Sequence, residues 1–175
     1  LITARLIGYK AIIKKEKNMK VPSIGTHKKR KIELNPLETL YLVDKNRISV
    51  IDKAGQLLDF DKLLKRFSKR DKDIFPKFLI YRDLMDRGYV VTMGYGRGID
   101  LLVYDRGDYP DKPAKIRVVG IDEGRPIKID TLINELNNSL LSKKELKIAV
   151  IERRGEIVYY SLSFFKGIIN RKKGE

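Results

Sequence analysis

Any chemistry in this chain is done without cysteine and with one histidine, His27, which is followed by Lys28, Lys29 and Arg30. Lack of cysteine excludes disulfides and thiolate metal sites. One histidine does not make a conventional zinc site, and in this setting His27 reads as a solvated loop residue. Gly94, Gly96 and Gly98 resemble the punctuation of a phosphate-binding loop. They fall between two expected strands rather than between a strand and a helix, so a hairpin turn is the better reading. Asp100 invites comparison with metal-dependent nucleases, in which an Asp precedes an E-x-K strand. Here the next strand opens Pro113-Ala114-Lys115 and offers no second carboxylate, which argues against metal catalysis and for a site without a cofactor.

The formal net charge is +15, and it is unevenly placed. Residues 1–70 hold 18 Lys/Arg against 7 Asp/Glu, whereas residues 71–175 hold 20 against 16. Basic clusters lie at 14–20, 28–31 and 62–72. Lys28, Lys29, Arg30, Lys31, Lys65 and Arg66 are the candidates for a polyanion contact, because each neutralised phosphate releases counterions. Solvated charged faces are the competing reading. The heavy use of Lys, Arg and Glu suits a thermophile. No apolar run approaches the ~20 residues of a membrane span, and no signal peptide is visible, so a cytoplasmic protein is expected.

The elements that must position these groups follow from pattern. Residues 1–13 read as one β-branched strand, and 25–31 as a basic loop. Asn35-Pro36 opens a helix, with Pro36 where a missing N–H does no harm. A strand at 47–52 and a helix at 59–69 complete a small α+β domain, 1–70. The charged stretch 68–73 marks the boundary. Beyond it, Ile74, Phe78, Tyr81 and Met85 place one apolar stripe on a helix over 73–87. Strands are expected at 89–93, 99–105, 115–121, 147–152 and 157–164. A helix near 130–143 carries Leu132, Leu136 and Leu140 on one face. The second domain, 71–166, is thus a sheet with flanking helices, and a basic tail occupies 167–175.

The stretch 81–107, YRDLMDRGYVVTMGYGRGIDLLVYDRG, resembles the C-terminal domain signature of the archaeal tRNA-intron endonucleases. The matching features are Tyr81 to Leu84, Asp86 to Val91, Gly94, Gly96, Asp100 and Val103-Tyr104. A weaker likeness covers roughly 34–165. The resemblance implies a two-domain α+β fold whose C-terminal domain is a restriction-nuclease-like mixed sheet flanked by helices. It also implies metal-independent cleavage of precursor tRNA at bulge-helix-bulge junctions, leaving a 2′,3′-cyclic phosphate and a 5′-hydroxyl. That reaction needs a base, an acid and a cation, roles that fall in the family to a Tyr, a His and a Lys.

Tyr104 matches the tyrosine and Lys144 the lysine. The histidine position falls on Pro113, and an arginine that helps clamp a bulge base falls on Asn137. The resemblance therefore implies a structural subunit that has lost its own site. It would join a catalytic partner in an α2β2 heterotetramer, with precursor tRNA as substrate. On the same resemblance, the last strand, with Val158, Tyr160, Leu162 and Phe164, pairs with its counterpart in the partner. An internal strand covered on both sides is the other reading. The turn Glu152–Glu156 corresponds to a docking loop of the family, although Arg153 and Arg154 depart from its acidic pattern. Two rival readings stay open: a self-sufficient endonuclease with a diverged site, and a basic RNA-binding module with no nuclease role.

Overall fold

The computed structural model describes residues 1–164. The basic tail expected at 167–175 lies outside the described residues. The chain forms two compact units, Leu1–Arg82 and a second that begins at Asp83.

The first unit begins with β1 (Ile2–Ile7), β2 (Lys10–Lys14), β3 (Thr26–His27) and β4 (Lys31–Leu34). There follow α1 (Pro36–Asp44), β5 (Ile48–Ile51), β6 (Leu57–Leu58) and α2 (Phe60–Ser68). Its six strands are ordered β3-β4-β2-β1-β5-β6. β1 pairs in parallel with β5, and the other pairings are antiparallel. The period-2 alternation of strands sends Ala4, Leu6, Ala11, Ile13, Ile32, Leu34, Ile48 and Val50 to one buried face. Leu37 and Leu40 of α1 and Leu63 and Phe67 of α2 are buried as well. Burial of each such side chain contributes about 1.5–3 kcal/mol. Asn35 caps α1 as expected, in a full capping box. Its side chain accepts from Glu38 N–H, and Glu38 reaches back to the Asn35 N–H.

Two sequence expectations fail in this unit. Residues 1–13 form a hairpin rather than one strand, because the chain reverses at Gly8 in the left-handed region (φ 62). The basic stretch 25–31 is not all loop: it carries β3 and the turn into β4, with Lys28 N–H donating to Lys31 O at 2.8 Å.

Helix α3 (Ile74–Asp86) starts in the first unit and ends in the second. Ile74, Phe78 and Tyr81 of its expected stripe are buried. The second unit continues with β7 (Val90–Met93), β8 (Asp100–Tyr104) and β9 (Ile116–Asp122). Then come α4 (Ile129–Leu141), β10 (Glu145–Ile151) and β11 (Ile157–Leu162). The sheet order is β11-β10-β9-β8-β7, with β9 and β10 parallel and the rest antiparallel. Helix α4 supplies the crossover between the parallel pair, as such a connection requires. Its Leu136 is buried with Leu146 and Ile148, while Leu132 packs partly against them. Leu140 does not share that face. Each step of four residues rotates a side chain by about 40°, and Leu140 stands 54% exposed while Ser139 is buried. The fold is α+β, with two mixed sheets and four helices among the described residues.

Candidate functional site

One end of the second sheet gathers the positions singled out by the sequence. Val103 pairs with Ile116 across β8–β9, and Ile116 pairs with Glu145 across β9–β10. Tyr104, Lys115 and Lys144 each lie one residue further out, in a single row at the sheet edge. Strand spacing puts the outer two about 10 Å apart at the backbone. Glu145 N–H donates to Lys115 O at 2.8 Å, which locks the centre of the row.

Lys144 is placed by the end of α4. Lys144 N–H donates to Ser139 O at 2.8 Å and Lys143 N–H to Leu140 O at 3.0 Å, the Schellman pattern. The left-handed position of that motif holds Lys143 (φ 55) where glycine is usual. Lys144 Nζ donates to Ser142 O at 3.3 Å. Tyr104 packs edge-on against Tyr109, with ring centroids 5.0 Å apart.

Pro113 is exposed and Ala114 is buried, and neither hydrocarbon side chain carries a proton to transfer. Four ionisable groups nearby in the chain, Asp105, Asp108, Lys112 and Lys115, are paired with one another. Lys115 Nζ lies 2.8 Å from Asp105 and 3.4 Å from Asp108, and Lys112 Nζ lies 2.7 Å from Asp108. Hydrogen bonds and charge from Asp105, then Asp108, raise the Lys115 pKa. The Lys112 hydrogen bond, outweighing burial and aided by Lys115, lowers that of Asp108. Near neutral pH the ammonium stays charged and the carboxylate stays ionised, so this group stabilises charge but hands over no carboxyl proton.

Behind the edge lies a charge network that the sequence reading missed. Arg117 Nε donates to Asp100 Oδ1 at 2.8 Å and its Nη2 to Oδ2 at 3.2 Å. Its Nη1 lies 2.6 Å from Glu135 of α4 and also donates to Ser139 Oγ at 3.4 Å. Burial alone would lower the Arg117 pKa, but hydrogen bonds and charge from Asp100, with Glu135, turn the shift upward. Gly96 N–H donates to Asp100 Oδ2 at 2.6 Å. A Cβ on Gly94 or on Gly96 would fall 2.5 Å from the Asp100 carboxyl group. Those glycines therefore make room for a buried carboxylate, which is a sharper reason than a permissive hairpin. The two partners of Asp100 stand 4 and 17 residues away, with no contiguous motif to announce them.

Among the described residues, strand β11 lies at the edge of its sheet. Tyr160 is 55% and Phe164 39% exposed, while Val158 and Leu162 are half-buried. By register Val158, Tyr160 and Leu162 share the α4 face, and Ile133 of α4 is 40% exposed. The turn Glu152–Glu156 closes by Glu152 N–H to Glu156 O at 2.8 Å, and its Arg153 N–H donates to Glu123. Asn137 is exposed on α4.

The basic candidates of the first unit fall into two separate places. Lys28, Lys29, Arg30 and Lys31 occupy the β3–β4 corner, at one end of the six-stranded sheet. Lys65 and Arg66 lie on α2, which packs beside β6 at the other end. His27 is exposed on β3. Glu33, absent from the sequence reading, gathers three lysines. Lys28 Nζ stands 2.7 Å and Lys31 Nζ 2.9 Å from its Oε1, and Lys10 Nζ 3.2 Å from its Oε2. Hydrogen bonds from Lys28, then Lys31 and Lys10, lower the Glu33 pKa to about 2.

Among the described residues, no group of three or more His, Cys, Asp or Glu is arranged to hold a metal ion, and no helix is long and apolar enough to cross a membrane.

The tRNA intron endonuclease N-terminal domain matches residues 2–64, and the tRNA intron endonuclease catalytic C-terminal domain matches residues 74–159. A tRNA-splicing endonuclease of Methanococcus maripaludis is 33% identical over 135 residues, 77% of this chain and 76% of that protein. That of Methanococcus vannielii is 31% identical over the same length and shares. One from Saccharolobus islandicus is 31% identical over 131 residues, 75% of this chain and 71% of its own. Both domain matches and these relatives agree: this chain belongs to the tRNA intron endonuclease family.

Proposed function

We propose that this chain is a structural subunit of a tRNA-splicing endonuclease. It supports cleavage of precursor tRNA at bulge-helix-bulge junctions by a catalytic partner subunit in an α2β2 assembly in the cytoplasm. In the reaction the ribose O2′ attacks the adjacent phosphorus, and the O2′–P bond forms as the P–O5′ bond breaks. A base takes the 2′ proton, an acid delivers one to O5′, and a cation stabilises the crowded phosphorane. The products are a 2′,3′-cyclic phosphate and a 5′-hydroxyl.

The observation that carries the reading is the edge row. Tyr104 and Lys144 lie on it, but the donor position holds Pro113, and Lys115, Asp105 and Asp108 are bound to one another. Loss of an acid typically costs about 10²–10⁴ in rate. Tyr104 and Lys144 then act as packing and helix-end residues, and Asn137 clamps no base.

The same proposal assigns Val158, Tyr160, Leu162 and Phe164 to the joint with the partner. An edge strand with exposed apolar side chains needs cover. Glu152 and Glu156 belong to the docking turn, and Lys28–Lys31 with Lys65 and Arg66 to RNA contact. The domain division at 70/71, with a tail at 167–175, belongs to the proposal too. Mixing this chain with a histidine-containing subunit should give cyclic-phosphate products and a native mass of two copies of each. A functional enzyme that assembles without this chain would refute the assignment.

A further inference from the structure

The open face of the first sheet carries a set of cations that neither the edge row nor the α2 lysines explain. Strand alternation puts Ala4, Leu6, Ala11, Ile13, Ile32 and Leu34 on the helix side. The same alternation puts Arg5, Lys10, Lys14 and Lys31 on the opposite side, with Glu33 among them. Register makes this a continuous row. Glu33 faces Ile12, Ile12 faces Arg5, and Lys31 faces Lys14 one step along.

Glu33 acts as the template of the group. Its side chain is 10% exposed, while those of Lys10, Lys28 and Lys31 are 60%, 51% and 45% exposed. Lys28 and Lys31 share one carboxylate oxygen, which holds their ammonium nitrogens within about 6 Å of each other. An ammonium has three donors. One on each lysine is used by Glu33, and the others remain for a ligand. Three held cations against one buried anion leave the cluster positive, and Lys14 and Arg5 extend it across the sheet.

We propose that this face, centred on Lys10, Lys28 and Lys31, is a phosphate cradle for the backbone of a base-paired RNA stem. The proposal rests on the tRNA-splicing reading, which supplies the polyanion, and it adds a contact on a different domain from the cleavage chemistry. The chemistry of the face favours a duplex. Binding to single strands relies on aromatic platforms for unstacked bases. The described strand residues that alternation places on this face are Thr, Arg, Lys, Ile, Glu, Ser and, at the far edge, Leu57, with no aromatic side chain among them. Lysines without aromatic neighbours suit phosphate positioning, which carries no sequence information.

The salt dependence of binding tests the cradle. Binding of the full chain to a fluorescent RNA hairpin without a bulge is measured from 50 to 200 mM salt. Each phosphate-contacting lysine contributes about one to the slope of log K against log salt. The Lys10→Gln/Lys28→Gln/Lys31→Gln variant should lose about 3 from that slope, and its affinity should fall by about tenfold or more. Lys10→Gln/Lys28→Gln, which leaves Lys31 to hold Glu33, should lose about 2 and guards against unfolding, with circular dichroism as the check. Amine labelling of the unaltered protein should show RNA protecting Lys10, Lys28 and Lys31 more than Lys62 and Lys69.

An unchanged slope in the folded double variant would overturn the cradle. So would equal protection by a polyglutamate of the same charge, which would indicate an acidic protein as occupant. Partner-restored cleavage is read separately in the unaltered protein. Its absence would sink the subunit reading, whatever the slopes show.

Discussion

Asp100 and Tyr104 stand at opposite ends of the same five-residue strand, and their surroundings have gone different ways. At the Asp100 end, carboxylate and guanidinium side chains are only 4% and 10% exposed and make two hydrogen bonds. Two glycines leave space for the carboxylate, and Glu135 and Ser139 tie the arginine to α4. At the Tyr104 end the backbone row is held by Glu145 N–H on Lys115 O, and the proposal places a proline, Pro113, where a proton donor would be needed. The Asp100 end is thus a closed charge network inside the sheet, while the Tyr104 end is a row of side chains whose reactivity the structural-subunit proposal denies.

The largest expected effect breaks the interior. Asp100→Ala leaves a buried arginine with only Glu135 and Ser139, and loss of one partner of a buried pair costs about 3 kcal/mol or more. For a chain of this size the melting temperature should drop by about 10 °C, read by calorimetry. Gly96→Ala should cost about 2 kcal/mol, because its Cβ meets the Asp100 carboxylate and Arg117 at 2.5 and 2.8 Å. A Gly96→Ala protein as stable as the parent would show that the turn is merely permissive.

The edge should respond more gently. Lys143→Gly relieves a left-handed lysine (φ 55) and should add about 1 kcal/mol, or ~3 °C. Acid offers a comparison with the exposed cluster of the first unit. The Glu33 pKa lies below its ordinary 4.5, at about 2. Its contribution to stability is therefore complete above pH 4.5 and is lost as pH falls towards 2. Glu33→Gln should flatten the melting-temperature profile in that window. Smallest of all, Tyr104→Phe and Lys144→Gln should change partner-restored cleavage by less than about twofold, where a true catalytic group would cost about 10²–10⁴.

The local signals in the sequence were legible and the cross-strand ones were not. Asn35-Pro36 announces α1, and the stripe Ile74, Phe78, Tyr81 announces α3, because caps and helical periodicity act within a few residues. Gly8 was not read as a reversal, since a β-branched run on both sides looks continuous until pairing is known. Asp100–Arg117 and Lys10–Glu33 depend on register across 17 and 23 residues. Composition carries no trace of such pairs. Tyr104 and Lys144 were found only through the family resemblance, and their shared row follows from two strand pairings.

The most direct test is a single-turnover assay of purified chain on a bulge-helix-bulge precursor, alone and with a catalytic subunit. The chain alone should cut at least about 10²-fold more slowly than the mixture. Cleavage by the lone chain at the mixture's rate would mean that the proline edge supports full catalysis, and the structural-subunit account would be wrong.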